Sequence, residues 1–234
     1  MKTDDLIALL AAGEGPVSRH AVGNRMAVAV LGGLTAALLL TITLYGVRSD
    51  ITEVAQTPLF WGKVAFPTSL ALIGLWLTSR LARPGGKGAA GWKMLGLPLL
   101  LVWCGAAVSI AGAPVEARAD LLFGRTWRTC ALNITLLSVP AFVTVFWALK
   151  GLAPTRLRQA GAAGGLLAGS TATVAYCLHC PEMGVPFWGV WYVLGMLVPT
   201  VFGAWWGPHA ALVGCTGRPH ATQNDVIQGE REIA

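Results

Sequence analysis

Long apolar runs without a charge limit what this chain can fold into. Several of them reach about 18 or more residues, enough for a helix to cross a bilayer core of roughly 30 Å. Of the 234 residues, 55% are hydrophobic and 12% are charged, whereas soluble domains carry about 25% charged residues. The runs are continuous and do not alternate in segments of about ten residues, which favours helices over a barrel. The sequence therefore predicts an all-α integral membrane protein.

Six of these runs predict six transmembrane helices. Residues 1–26 precede them as a cytoplasmic N-terminal segment, and the polar residues 207–234 follow as a cytoplasmic tail. With six spans, both termini lie on the same side of the membrane. The predicted spans run from about Ala27 to Val47, Lys63 to Thr78, Met94 to Ala113, Cys130 to Leu149, Gln159 to Cys177 and Phe187 to Trp206.

The distribution of basic residues predicts the orientation. With the N-terminus inside, twelve of the 17 Lys and Arg residues fall in cytoplasmic segments, and this excess favours an N-in, C-in arrangement. The same excess explains the net charge of +6 without nucleic acid, since the chain lacks zinc-finger spacing and a phosphate-binding glycine loop. The five basic residues assigned to the outer loops are Arg48, Lys63, Arg118, Arg125 and Arg128.

The N-terminal segment contains a short predicted helix over residues 3–13. Its first turn is acidic, which suits the positive end of a helix dipole, and its apolar residues share one face. A helix of about ten residues is marginal alone in water, so it needs a surface to lie on. Either the bilayer surface with the protein's own loops or a cytoplasmic partner would serve, and the acidic turn favours the partner. The candidate partner-binding residues are Asp4, Asp5, Leu6, Ile7 and Leu10.

Two other segments carry structural patterns. Gly161, Gly165 and Gly169 place a small residue at every fourth position of the fifth predicted span, which predicts close approach of a neighbouring helix. The loop from Pro114 to Thr129 interleaves charged with apolar residues, which predicts an amphipathic helix in the outer interface.

The five cysteines separate by position. Cys104 lies within the third span, where a thiol usually serves as a small apolar core residue. Cys215 falls on the cytoplasmic side, where thiols stay reduced. Cys130, Cys177 and Cys180 fall at the outer boundary, at ends of consecutive antiparallel helices that can lie close together.

Three interpretations of these outer thiols compete. They are a structural disulfide from Cys130 to Cys177 or Cys180, a reversible sensor of oxidants or soft metals, and inert buried thiols. Thiolates, imidazole and carboxylate together supply enough ligand types for a soft metal ion, although no cofactor is required. Pro181 imposes extended backbone on Cys180. The candidate sensing residues are Cys130, Cys177 and Cys180, and the candidate metal ligands are Cys130, Cys177, His179, Cys180 and Glu182.

Glu182 also has a simpler interpretation, as an outer-loop acid in contact with water. If it is buried it needs a partner, for which His179 and Arg128 are candidates.

The sequence offers little for catalysis or ion transport. No charged residue is predicted deep within a span, and no Ser–His–Asp set or paired-carboxylate site is evident. We therefore expect that the protein is not an enzyme. A small metal permease, a thiol-redox membrane protein and a structural subunit with one permanent disulfide are the alternatives to a sensor.

The chain resembles the NrsF-type bacterial anti-sigma factors, the negative regulators of sigma factor F. The resemblance covers nearly the full length. It depends on the opening Met1–Ile7, the six spans, Thr129–Cys130 at the start of the fourth span, and Cys177-Leu-His-Cys-Pro-Glu182 followed by the aromatic residues from Phe187 to Tyr192.

The resemblance implies a function and assigns residues to it. Proteins of this family hold an extracytoplasmic-function (ECF) sigma factor at the bacterial inner membrane and release it under heavy-metal or oxidative stress. By this resemblance the two sensing cysteines are Cys130 and Cys180, and Cys177 is an additional thiol without an assigned role. The implied partners are the sigma factor and the lipid bilayer.

Overall fold

The computed structural model describes residues 21–152 and 154–215, and over these residues the chain is helical, without strands. The N-terminal segment up to residue 20, with the predicted docking helix and Asp4, Asp5, Leu6, Ile7 and Leu10, lies outside the described residues, as do residues 216–234. The helices are α1 Ala21–Leu40, continued by a π-helical turn Thr41–Tyr45, α2 Ile51–Val54, α3 Pro58–Leu81, α4 Ala89–Met94, α5 Gly96–Gly112, α6 Val115–Phe123, α7 Trp127–Lys150, α8 Leu157–Tyr176 and α9 Val185–Cys215.

Five helical segments of the described chain are long and apolar enough to cross a membrane: Val22–Tyr45, Pro58–Leu81, Ala89–Gly112, Val115–Lys150 and Val185–His209. They overlap five of the six predicted spans. Large apolar side chains such as Leu100, Leu132 and Val143 are more than half exposed along them, which is compatible with a membrane protein.

The remaining predicted span, the fifth along the chain, coincides with α8, which is as long as a span but is not among these five. Its sequence is rich in Gly, Ser and Thr, and nearly every residue from Ala160 to Tyr176 is buried. α8 contacts α1, α3, α7 and α9, with the most extensive contact to α9, so it is the central helix of the bundle. A helix enclosed by other helices does not need an apolar outer face, which explains why its composition differs.

Glycine allows the close contact between α8 and α9, as predicted. A Cβ added at Gly161 would overlap the carbonyl oxygen of Gly203, and one at Gly165 would overlap that of Pro199. Both obstacles are main-chain atoms that cannot rotate away. The small-residue pattern of α8 is thus a packing feature of the bundle.

The predicted amphipathic segment after Pro114 forms α6 and a short connection to α7. α6 packs against α9, where the Trp191 indole N–H donates a hydrogen bond to the carbonyl oxygen of Leu122 at 2.9 Å. The rings of Phe123, Trp127 and Trp191 cluster beside this contact. The segment is therefore fixed to the start of α9, next to the loop that follows α8.

Candidate functional site

The three predicted sensing residues lie together at one end of the bundle. Cys130 lies in the first turn of α7, Cys177 immediately follows α8, and Cys180 lies in the loop from 177 to 184, here called the thiol loop. All three side chains are completely buried within one apolar cluster. The side chains of Cys130 and Cys180 lie close together in this cluster, and both thiols are free. The structure thus brings together the two cysteines that the resemblance singles out.

The end of α8 determines where Cys180 points. The backbone N–H groups of His179 and Cys180 both donate to the carbonyl oxygen of Tyr176, each at 3.0 Å, so the chain turns back beneath the last helical turn. Pro181 has no N–H group and cannot continue this turn. The turn therefore directs the Cys180 side chain towards the start of α7, where Cys130 lies.

Lys63 is a member of this site that sequence reasoning missed. It was assigned to an outer loop, but α3 begins at Pro58, so Lys63 lies in the second turn and is completely buried. Its ammonium group donates hydrogen bonds to the carbonyl oxygens of Cys180 and Glu182, both at 2.7 Å. Its assignment to an outer loop is therefore wrong, because Lys63 lies near the start of α3 with its side chain inside the bundle. A lysine between Trp61 and Phe66, in an otherwise apolar run, was the signal.

Two neighbours lower the pKa of the Cys180 thiol below its ordinary value. The Cys130 thiol donates a hydrogen bond to it, and the positive charge of Lys63 adds to the effect, while burial opposes both. Thiolate is the form that reacts as a nucleophile and binds metal. Cys180 is accordingly the better nucleophile of this pair, and Cys130 the thiol that stabilises it.

Arg48 is a second cation at the thiol loop that the sequence analysis did not assign to the site. Its Nη1 donates to the carbonyl oxygen of Cys180 at 3.2 Å and contacts the Met183 sulfur at 3.5 Å. Its Nε and Nη2 bind the two oxygens of Asp50 at 2.6 and 2.7 Å. These hydrogen bonds from the guanidinium lower the pKa of the Asp50 carboxyl. The carbonyl oxygen of Cys180 therefore accepts hydrogen bonds from two cations, Arg48 and Lys63, both of which are distant from it in sequence.

His179 and Glu182 do not join the sulfur atoms. With its proton on Nδ1, His179 donates to the carbonyl oxygen of Gly46 at 3.1 Å, and its ring packs between the rings of Tyr45 and Tyr176. Glu182 is half-buried and accepts a hydrogen bond from the backbone N–H of Arg125 at 2.7 Å. The partner of Glu182 is thus neither of the two side chains that the sequence suggested.

The predicted set of five metal ligands is therefore not assembled in this arrangement. Among the residues that the structure describes, no three His, Cys, Asp or Glu side chains form a group that could hold a metal ion. The adjacent sequence positions of His179, Cys180 and Glu182 were misleading, because the turn after α8 directs their side chains to different helices. The contact between Cys130 and Cys180 is the part of the set that the structure brings together.

Tyrosines enclose the sulfur cluster. The Tyr45 hydroxyl donates to Asn133 at 3.2 Å, and the Asn133 amide donates to the Tyr176 hydroxyl at 3.4 Å. The Tyr192 hydroxyl is completely buried near the sulfurs of Cys177 and Cys180 and has no hydrogen-bond partner among the described residues. The three thiols are consequently shielded from bulk solvent.

The remaining cysteines lie elsewhere. Cys104 is exposed on α5, so the expectation that it fills a core position is wrong. α5 has a single buried residue, Val102, because most of its surface has no helix packed against it. Cys215 ends α9, and its side chain is outside the described part of the structure.

Comparison with known proteins gives consistent results along nearly the whole chain. Residues 10–211 match the family NrsF, described as negative regulator of sigma F. The chain is 49% identical over 203 residues to the probable anti-sigma-F factor NrsF of Azospira oryzae, covering 87% of this chain and 95% of that protein. It is 40% identical over 210 residues to the anti-sigma-F factor NrsF of Caulobacter vibrioides, covering 88% of this chain and 97% of that protein.

No solved structure matches the chain. The resemblance noted from the sequence is confirmed, and the family is regulatory rather than catalytic, in agreement with the expectation that the protein is not an enzyme. With a family match over most of its length and two relatives at 40% identity or more, the chain belongs to the NrsF family of negative regulators of sigma F.

Proposed function

We propose that this protein is an anti-sigma factor that holds an ECF sigma factor at the bacterial inner membrane and releases it when Cys130 and Cys180 become bridged. The names of both relatives support the anti-sigma role. The observation that carries the sensing part is the contact between two free, buried thiols, one of them beside a buried cation.

The proposed topology has six spans, with α8 as the fifth along the chain, and both termini in the cytoplasm. The excess of basic residues in the segments assigned to the cytoplasm supports this orientation. It places the thiol loop towards an oxidising compartment and the first 20 residues towards the cytoplasm. Stimulus and partner then act on opposite sides of the membrane.

Two stimuli fit the chemistry of the thiol pair. A two-electron oxidant accepts two electrons and two protons from Cys130 and Cys180 and leaves a disulfide. A soft divalent metal ion bound by both sulfurs displaces their two protons and leaves a metal bridge. Either product joins α7 to the thiol loop, and neither needs His179 or Glu182 as a ligand.

Release requires the bridged and unbridged states to differ in affinity for the sigma factor. A tenfold difference corresponds to about 1.4 kcal/mol, which is small beside the free energy of one new covalent or metal bridge. We assign the grip on the sigma factor to the N-terminal segment, through Leu6, Ile7 and Leu10 on its apolar face and Asp4 and Asp5 in its first turn. Leu6→Asp or Leu10→Asp should abolish co-purification of the sigma factor.

A reporter assay tests the sensing residues. In cells carrying a sigma-dependent reporter, the double variant Cys130→Ser, Cys180→Ser should lose induction by cadmium and by diamide. Cys104→Ser is the matched control, because Cys104 is exposed on α5 away from the site, and it should be induced normally. Full induction of the double variant would remove the cysteine pair from the mechanism.

A further inference from the structure

The thiol loop is bound to the end of α1 by a group of hydrogen bonds that the sequence gives no reason to expect. The backbone N–H of Arg48 donates to the carbonyl oxygen of Leu178 at 3.2 Å, and its guanidinium donates to that of Cys180 at 3.2 Å. In the opposite direction, His179 donates to the carbonyl oxygen of Gly46 at 3.1 Å. The short connector after α1 and the loop that carries Cys180 are therefore joined through both backbone and side chains.

Arg48 is held firmly enough to transmit a displacement. Its side chain is only 7% exposed, and Asp50 binds it through both carboxylate oxygens. A bidentate arginine–carboxylate pair fixes the orientation of the guanidinium plane. A shift of the Cys180 carbonyl oxygen therefore acts on a rigid group and not on a flexible side chain.

α1 connects this point to the opposite end of the bundle. From Ala21 to Tyr45 it spans about 35 Å at 1.5 Å per residue. It packs closely on α7, where a Cβ added at Gly33 would lie 2.7 Å from Ala141 Cα, and the Thr144 hydroxyl donates to the carbonyl oxygen of Ala29 at 2.8 Å. α1 is therefore one continuous, closely packed helical connection between the two ends of the bundle. α1 begins at Ala21 and therefore follows directly on the N-terminal segment, residues 1–20, to which the proposed function assigns sigma-factor binding.

Bridging Cys130 to Cys180 acts directly on the thiol loop. Both thiols are free and both side chains are buried in one cluster, so a covalent bond of about 2.05 Å between the sulfurs replaces a longer non-bonded separation. Cys130 is fixed in the first turn of α7, so the displacement falls on Cys180 and on its carbonyl oxygen. That oxygen is the atom bound by Arg48.

We propose that Arg48 is the positioning residue that couples the state of the Cys130–Cys180 pair to the N-terminal segment, by tying the carbonyl of Cys180 to the end of α1. This inference rests on the proposed function, since it names the path through which a change at the Cys130–Cys180 pair reaches the N-terminal segment. It places the mechanical link in α1, the helix that leads directly into residues 1–20, and it makes Arg48 necessary for the response although Arg48 contacts neither sulfur nor sigma factor.

The test measures the ratio of sigma-factor affinities of the full-length protein in detergent, with its thiols reduced and after diamide. The expected ratio is at least tenfold in the unaltered protein and near one in Arg48→Ala, with the variant still binding the sigma factor in both states. Thiol trapping on the same samples should show that Arg48→Ala still forms the Cys130–Cys180 disulfide, which also reports that the site is folded. Arg48→Lys keeps a cation at this position and should restore at least part of the ratio.

Arg118→Ala is the matched control. Arg118 lies in α6, and among the described residues its guanidinium bonds only to the nearby carbonyl oxygen of Ala113. The control should keep the full ratio. An Arg48→Ala protein that keeps the full ratio overturns the inference, and so does one that no longer forms the disulfide, because Arg48 would then serve only the thiols. A ratio of one in the unaltered protein is the separate failure of the proposed function itself.

Discussion

The ammonium nitrogen of Lys63 lies 2.7 Å from the main-chain carbonyl oxygen of Cys180. Lys63 is the one charged side chain that is completely buried among the residues whose side chains the structure describes. Two carbonyl oxygens hold it, and no carboxylate lies within ion-pair distance of it in the described part of the chain. A buried cation needs compensation, and the thiolate form of Cys180 would add to that supplied by the two carbonyl oxygens.

Removing this charge should slow the reaction of Cys180. The Lys63 cation helps to hold the pKa of Cys180 below its ordinary value, so Lys63→Met raises that pKa and reduces the thiolate fraction at neutral pH. The alkylation rate of Cys180 by N-ethylmaleimide can be followed by peptide mass spectrometry between pH 5 and 10. This rate should reach its plateau at a higher pH in Lys63→Met than in the unaltered protein. Each unit of pKa increase slows the reaction roughly tenfold at pH values below both pKa values.

Lys93→Met is the control for this experiment, because Lys93 lies exposed on α4. Its profile should follow that of the unaltered protein. If Lys63→Met and the unaltered protein share one pH profile, the cation does not influence the sulfur.

Cys177 should not be needed for the bridge. Its sulfur lies 3.8 Å from the carbonyl oxygen of Lys63, to which its thiol donates, and it occupies a fully buried position at the end of α8. After diamide treatment, Cys177→Ser should still give a peptide pair linked through Cys130 and Cys180, detected by mass spectrometry without reduction. A variant that gives no such pair would show that Cys177 takes part in the exchange.

Glu182 should contribute little to metal binding. Its carboxylate is occupied by the backbone N–H of Arg125 and lies beside Gly124, away from the sulfurs. Glu182→Gln keeps a hydrogen-bond acceptor there, so the cadmium affinity measured by calorimetry should stay within about threefold, whereas Cys180→Ser should lose most of it. A tenfold loss in Glu182→Gln would return the carboxylate to the ligand set.

The contact between α8 and α9 should tolerate no side chain at Gly165. A Cβ there meets the main-chain oxygen of Pro199, so Gly165→Leu must push the two helices apart. Overpacking typically costs about 1–3 kcal/mol, and a main-chain obstacle places this substitution at the upper end. The melting temperature in detergent should fall by several degrees, while Gly96→Ala, where a Cβ meets nothing within 4 Å, should leave it nearly unchanged.

Much of this arrangement follows from the sequence, and the exceptions have physical causes. Two consecutive antiparallel helices bring their ends together, which is why Cys130, Cys177 and Cys180 were expected to lie close together. The choice of Cys180 as the partner of Cys130 came from the family resemblance. Lys63 and Arg48 could not be placed, since a basic residue near a helix end looks like an orientation signal whether it points to water or into the bundle. Their role depends on which carbonyl groups the thiol loop presents, and this is a property of the turn after Tyr176.

The predicted fifth span, Gln159–Cys177, shows a different limit. Apolarity identifies helices that face lipid, but α8 faces other helices on nearly all sides, so its sequence carries small residues instead. The glycine spacing predicted the packing correctly, although it did not reveal that α8 is the central helix. The side chains of His179 and Glu182 are bound away from the sulfurs for a related reason. Where a helix ends, residues adjacent in sequence direct their side chains to different neighbours.

The most direct measurement is co-purification of the sigma factor with the full-length protein from membranes, before and after diamide, with the state of Cys130 and Cys180 determined in the same samples. The account predicts that the sigma factor is retained while both thiols are free and is lost by at least tenfold when the Cys130–Cys180 link has formed. Retention of the sigma factor by the linked protein, or its loss while both thiols remain free, would contradict the account.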